Sequence, residues 1–211
     1  MEFLQSILHV LNSPMNAEQL QLTAALLIGI GLSASCGFRV FAPPLILSAA
    51  ALFFGIHLPD GMRWLATYPA LIALFTASLV EVGAYYVPWL DHALDSISWP
   101  LSLLAGTLIT GTFLNGHMDP GMQWGLALIA GGGAAAATQS MSNAGRVASL
   151  VTTAGVANPI VSTVENFLAF VVPALVIAFP IITILVVLAV SALIILFFVK
   201  INQKRRQAAL K

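Results

Sequence analysis

Residues 33–40 read Ser-Ala-Ser-Cys-Gly-Phe-Arg-Val and lie between two apolar runs. The same pattern, Ser-x-Ser-x-x-x-Arg-Val, returns at residues 140–147 as Ser-Met-Ser-Asn-Ala-Gly-Arg-Val. A second pattern, Ser-x-Val-Glu, also occurs twice and ends at Glu81 and at Glu165. Each half of the chain therefore carries one arginine motif followed by one glutamate motif. This duplication predicts two pseudo-symmetric structural repeats.

The composition is that of a membrane protein. The chain has 211 residues, of which 59% are hydrophobic and 8% are charged, whereas about 25% of residues are charged in a soluble domain. Together with a mean hydropathy of +0.97, the long apolar runs predict an all-α, polytopic helical membrane protein. The net charge of zero gives no electrostatic basis for nucleic-acid binding. The lipid bilayer is the expected partner.

Prolines and turn residues divide the chain into about eight helical segments. The predicted organisation is an N-terminal interfacial segment (1–16), a first membrane repeat (17–116), a second membrane repeat (117–200) and a basic tail (201–211). Trp99-Pro100 is predicted to open the fourth segment. The clearest membrane span is residues 181–199, which carry no charge and would cover roughly 28 Å as a helix.

The arginine motifs are predicted to interrupt their helices. Residues 145–157 would form a helix roughly 20 Å long, which is too short to cross a hydrocarbon core of about 30 Å. We therefore expect both motif regions to be helical hairpins or discontinuous helices, some of them re-entrant. Whether the repeats are parallel or inverted depends on the number of full spans and stays open at this point.

The basic residues predict the orientation of the chain. Five of its eight Lys and Arg residues follow residue 199, and such residues favour the cytoplasmic side of a membrane. The C-terminus is therefore expected in the cytoplasm. Glycine-rich helix faces permit a homo-oligomer without requiring one.

Arg39, Arg146, Glu81 and Glu165 are the candidate functional residues. A charged side chain at the bilayer centre costs about 2.5–3.5 kcal/mol, so these residues should have partners or line a polar cavity. Arginine stays charged, whereas glutamate can be protonated. This combination suits a proton-coupled anion transporter, and it equally suits a static ion pair. The neighbouring polar residues, which could bind a solute or simply join helices, are Ser33, Ser35, Ser140, Ser142, Asn143 and Asn166.

Two stretches carry a resemblance to a known family. Cys-Gly-Phe-Arg-Val-Phe-Ala-Pro-Pro at 36–44 and Asn-Ala-Gly-Arg at 143–146 are each followed by an acidic segment. With these motifs, about residues 20–200 of the chain resemble a family of bacterial multi-pass membrane proteins catalogued only as a domain of unknown function. The resemblance implies a bacterial inner-membrane location and supplies no activity.

The favoured function is an integral membrane transporter or channel for a small solute or ion, with an anionic solute and proton coupling as candidates. Paired Arg and Glu residues from the two repeats would line its central site. The alternative is a non-transporting membrane scaffold or assembly factor whose Arg and Glu residues only hold the fold. The sequence contains no nucleophile–His–acid arrangement, metalloprotease motif or nucleotide fingerprint. We therefore expect no enzymatic activity, metal or cofactor.

Overall fold

The computed structural model describes residues 16–86, 88–154 and 156–179 of the chain. Within these ranges every regular element is a helix, which confirms the predicted all-α class. A 3₁₀ helix (Asp60–Leu65) links the second and third α-helices, and a π-helical segment (Ala127–Gly132) joins the fifth and sixth. The α-helices are α1 (Ala17–Cys36), α2 (Ala42–Phe54), α3 (Tyr68–Ala84), α4 (Pro88–Phe113), α5 (Pro120–Leu126), α6 (Gly133–Thr153) and α7 (Asn158–Ala178).

Helix boundaries follow prolines, glycines and capping side chains. Pro43-Pro44 lies in the first turn of α2, where a missing backbone N–H leaves no hydrogen bond unmade. Gly55 ends α2 with φ at 65°, a left-handed conformation that glycine adopts without strain. At the start of α5, the carboxylate of Asp119 accepts a hydrogen bond from the N–H of Gly121 at 3.0 Å. These local signals explain where α2 begins and ends and why a turn precedes α5.

Helix α1 lies at the centre of the bundle and contacts α2, α4, α6 and α7. Small residues allow this close approach. A Cβ added at Gly37, just after α1, would overlap the backbone of α6 at Ala135. The buried apolar core around α1 consists of Leu32, Cys36, Leu47, Met62, Leu65, Ile109, Ala135 and Val176.

Two predicted boundaries are wrong. Helix α4 begins at Pro88 rather than at Trp99, and Pro100 lies inside it. An internal proline removes one backbone hydrogen bond, and a helix can continue through it when neighbouring groups compensate. Helix α6 runs unbroken through the second arginine motif. Gly145 does not interrupt this helix because a helical glycine costs only about 1 kcal/mol relative to alanine.

The two arginine motifs consequently have different local structures. Helix α1 ends at Cys36 and α2 begins at Ala42, so Arg39 lies in a break between helices. Arg146 lies within the continuous helix α6. The structure thus has the predicted interruption at the first motif only. The predicted two-repeat architecture stays a prediction.

Two of the described helices, α1 with 20 residues and α7 with 21, are long and apolar enough to cross a membrane. Helices α2 and α3 and residues 97–113 of α4 are apolar but shorter. The predicted N-terminal interfacial helix, the predicted span 181–199 and the basic tail lie outside the described residues.

The close contact between α4 and the π-helical segment gives a first prediction. A Cβ at Gly106 would lie 2.7 Å from the carbonyl oxygen of Gly131 and 2.8 Å from the Cβ of Ala135. Because the two backbones would have to separate, we expect Gly106→Ala to lower the free energy of unfolding by about 1–3 kcal/mol. Thermal unfolding of the purified variant measures this loss.

The matched control is Gly133→Ala in α6, where an added Cβ meets nothing within 4 Å. This variant should be unchanged or slightly more stable, because alanine favours a helix over glycine by about 1 kcal/mol. Equal melting temperatures for the two variants would contradict the close packing at Gly106.

Candidate functional site

All four predicted charged residues are buried. The exposed fractions are 1% for Arg39, 8% for Glu81, 4% for Arg146 and 4% for Glu165. They come from four parts of the chain: the α1–α2 connection, α3, α6 and α7. Charges this deeply buried require partners, because an isolated buried charge is strongly unfavourable.

Glu165 is the shared partner of both arginines. Its Oε2 atom accepts a hydrogen bond from Nη2 of Arg146 and lies 3.5 Å from Nη1 of Arg39. Its Oε1 atom accepts a hydrogen bond from Oγ of Ser142. Helix α6 places Ser142 and Arg146 four residues apart on one face, directed at α7. One carboxylate therefore serves two guanidinium groups and a hydroxyl.

Tyr85 holds the two guanidinium groups together. Its ring centroid lies 3.8 Å from Cζ of Arg39 and 4.4 Å from Cζ of Arg146. Both cations thus contact the electron-rich ring. The phenol oxygen lies 2.9 Å from Oγ of Ser98, which fixes the ring from α4. Tyr85 was not among the predicted site residues, although its position directly after α3, four residues beyond Glu81, is a helical-face signal.

Glu81 has a different role from Glu165. Its Oε1 atom accepts a hydrogen bond from the N–H of Val40 at 2.7 Å, and its Oε2 atom accepts one from the N–H of Phe41 at 3.1 Å. Both amides belong to the break between α1 and α2. Glu81 therefore fixes the backbone of the segment that carries Arg39. The two glutamates share a sequence pattern but have different partners.

Arg39 has further contacts with the chain around it. Its Nε atom donates to Oδ1 of Asn166 at 2.7 Å, and its Nη1 atom donates to the carbonyl oxygen of Phe38 at 2.6 Å. Asn166 in turn donates to the hydroxyl of Tyr86 at 3.2 Å. The Nη2 atom of Arg39 is buried and has no hydrogen-bond partner among the described residues. Asn166 thus contacts Arg39, and Ser142 contacts Glu165. That these residues form a binding site stays a prediction.

Comparison with protein families matches residues 26–200 to a domain of unknown function, DUF4126. The chain belongs to the DUF4126 family. This confirms the resemblance to an uncharacterised family that the arginine motifs indicated. Comparisons with curated proteins and with solved structures gave no match. The function of this DUF4126 protein must therefore be inferred from its residues.

Four other predicted polar residues of the DUF4126 chain have partners away from Glu165. Serine hydroxyls in helices commonly bond to a carbonyl one turn earlier, and some join two helices. These contacts tie the bundle together. The pairs are Ser33 Oγ to Gly106 O (2.7 Å), Ser35 Oγ to Gly31 O (3.1 Å), Ser140 Oγ to Ala136 O (2.7 Å) and Gln139 Nε2 to Asn143 Oδ1 (3.2 Å).

Three cavities among the described residues of the DUF4126 chain lie outside the arginine cluster. One of about 300 Å³ lies beside Glu81 and is otherwise lined mainly by apolar side chains. Two others, of about 440 and 410 Å³, are lined by apolar residues of α2 with α3 and of α2 with α7. None of these three is lined by Arg39, Arg146 or Glu165. Among the described residues, no group of three His, Cys, Asp or Glu side chains could hold a metal.

The role of Glu81 gives a second prediction for the DUF4126 protein. Glu81→Ala leaves the N–H groups of Val40 and Phe41 without their acceptors, so we expect a loss of about 1–3 kcal/mol in the free energy of unfolding. Glu81→Gln retains one acceptor oxygen and should lose less. Thermal unfolding of the purified variants measures both.

The control is Asp60→Ala, which removes a solvent-exposed ion pair. Asp60 lies 2.6 Å from Arg63, and the two side chains are 75% and 76% exposed. Because exposed pairs contribute at most about 1 kcal/mol, this variant should stay close to wild type. A Glu81→Ala protein as stable as Asp60→Ala would refute the anchoring role.

Proposed function

We propose that this DUF4126 protein is an integral membrane protein that binds a small anionic solute and carries it across the bilayer. The arginine cluster, defined as Arg39, Tyr85, Ser142, Arg146 and Glu165, is the proposed binding site. The observation that carries the proposal is the sharing of one buried carboxylate by two buried guanidinium groups. Such a site has an excess of fixed cationic groups over the carboxylates that contact them.

The distribution of polar and apolar residues supports membrane insertion. Phe54, Val151 and Ile129 are 80%, 79% and 76% exposed, whereas Arg39 and Glu165 are buried. Soluble proteins show the reverse arrangement and rarely expose large contiguous apolar surfaces. Lipid chains would cover the apolar exterior. We place the protein in a bacterial inner membrane, with the basic C-terminal tail in the cytoplasm.

Electrostatics favours an anion as the solute. At an effective dielectric constant of about 20, two unit charges 4 Å apart interact by about 4 kcal/mol. Two arginines, which remain charged, would attract an anion and hold it out of water. One arginine comes from each predicted repeat, as expected for a transporter site between two halves. Movement of a proton together with the anion is part of this proposal.

The break at residues 37–41 is where the helices would move during transport. The arginine cluster is closely packed in the present conformation, so a solute can enter only after helices move. Discontinuous helices near the substrate are a recurrent feature of transporters. Arg39 lies within the break, and Glu81 holds its backbone. Movement of this segment would open the site without unfolding a helix.

Anion uptake into proteoliposomes gives the third prediction. Arg39→Gln and Arg146→Gln remove one fixed cation each, and we expect either to reduce uptake of the transported anion at least tenfold, the loss of about 1.4 kcal/mol of interaction. Uptake of radiolabelled chloride, phosphate, formate and acetate measures the effect. Arg63→Gln is the matched control, because Arg63 is exposed and pairs only with Asp60 among the described residues. Variants that transport at the wild-type rate would place the site elsewhere.

The alternative function, a non-transporting membrane scaffold, can be tested in the same assay. The three apolar cavities do not reach either arginine, and a buried ion network can serve to fix a fold. A membrane scaffold with this network would carry none of the four anions as wild type. Its arginine variants would lose thermal stability alone. That combination of results would replace the transport proposal with the scaffold.

A further inference from the structure

We infer that the solute of the arginine cluster is a small carboxylate of one or two carbons, and that Glu165 occupies its place in the present conformation. This inference rests on the proposed anion-binding function and specifies its substrate class. It starts from the fact that the group now lying between the two guanidiniums is itself a carboxylate.

The donors around Glu165 require two acceptor oxygens. The guanidinium groups of Arg39 and Arg146 meet Oε2, and the hydroxyl of Ser142 donates to Oε1. A carboxylate has two coplanar oxygens with about four acceptor positions and matches such donors well. A halide offers a single centre and cannot replace both oxygens. The site is therefore built for a carboxylate.

Arg39 has one donor left for a solute. Its side chain is 1% exposed, and its Nη2 atom has no hydrogen-bond partner among the residues that the structure describes. A buried charged donor without an acceptor is costly. A solute carboxylate could accept from Nη1 and Nη2 together, as in the two-pronged pairing that arginine favours with carboxylates. Glu165 does not reach Nη2 in this way.

The size of the solute follows from the packing. The three described cavities are not lined by Arg39, Arg146 or Glu165. A solute that replaces Glu165 would take the volume that the end of this side chain vacates when it turns away. That volume corresponds to a carboxylate with one methylene group, so formate and acetate fit and longer chains do not.

The surrounding helices offer no better candidate for this exchange. Helix α2 contains no ionisable residue, and α1 contains only Glu18 and Cys36. Glu81 of α3 already accepts the backbone N–H groups of Val40 and Phe41. Displacing Glu81 would free the backbone N–H groups of Val40 and Phe41 and would not free an arginine. Glu165 is therefore the carboxylate that the solute replaces.

Chemical rescue of a Glu165 variant tests the inference and gives the fourth prediction. The full chain carrying Glu165→Ala is purified and melted in increasing sodium formate, with sodium chloride at equal ionic strength for comparison. Formate should raise the melting temperature by roughly 3 °C once it exceeds its dissociation constant about tenfold, because it binds the folded state. Chloride and hexanoate should not. Asp60→Ala should show no shift specific to formate.

If Glu165→Ala does not fold, Glu165→Ser provides the same measurement, because its short, uncharged side chain also leaves the place of the carboxylate open. Equal shifts with formate and chloride, a shift with hexanoate alone, or no shift in any folded Glu165 variant would overturn the inference. The measurement involves no transport. Rescue by formate in a protein that carries no anion would support the carboxylate site and refute the transporter. Anion uptake by wild type without rescue would refute the carboxylate site alone.

Discussion

The fold of this chain depends on a single carboxylate shared by two buried cations. Glu165 of α7 meets Arg146 from α6 and Arg39 from the α1–α2 connection, and Tyr85 at the end of α3 lies against both guanidiniums. Four parts of the chain are thus tied at one point. Removing one member of a buried ion pair commonly costs 3–5 kcal/mol, since the remaining charge is left uncompensated. The positions of these segments are therefore closely linked.

The packing of the other helices accommodates these buried charged residues. Charged and polar side chains are buried beside the apolar core, and many large apolar side chains lie on the exterior. When helices pack within lipid, apolar burial contributes little to their association, and close backbone contact and interhelical hydrogen bonds contribute more. The glycines at α1, α4 and the π-helical segment allow such contact. Ser33 adds a hydrogen bond from α1 to the backbone of α4. Close backbone contacts and interhelical hydrogen bonds thus hold together the helices that carry the buried charges.

Sequence reasoning could predict what depends on local signals. The helical class, the position of Pro43-Pro44 in the first turn of α2 and the burial of four charged residues follow from composition, proline chemistry and the cost of buried charge. The unbroken course of α6 through Gly145 could not be predicted in this way, because tertiary contacts override a weak glycine penalty. The partners of Glu81 and the position of Tyr85 depend on how separate helices pack. The two arginine motifs share a sequence pattern but differ in local structure.

The π-helical segment sets the rotational phase between two parts of one long helix. Its Gly131 and Gly132 lie against α4, while Ser142 and Arg146 of the following α6 are directed at α7. Each residue of an α-helix turns the chain by about 100°, and π-bulges commonly accommodate a single extra residue. A segment shortened by one residue could continue as a regular α-helix with both faces in place, whereas a segment lengthened by a further residue would turn either the glycine face or the arginine face away from its partner. Length in this segment is consequently constrained even where side-chain identity is not.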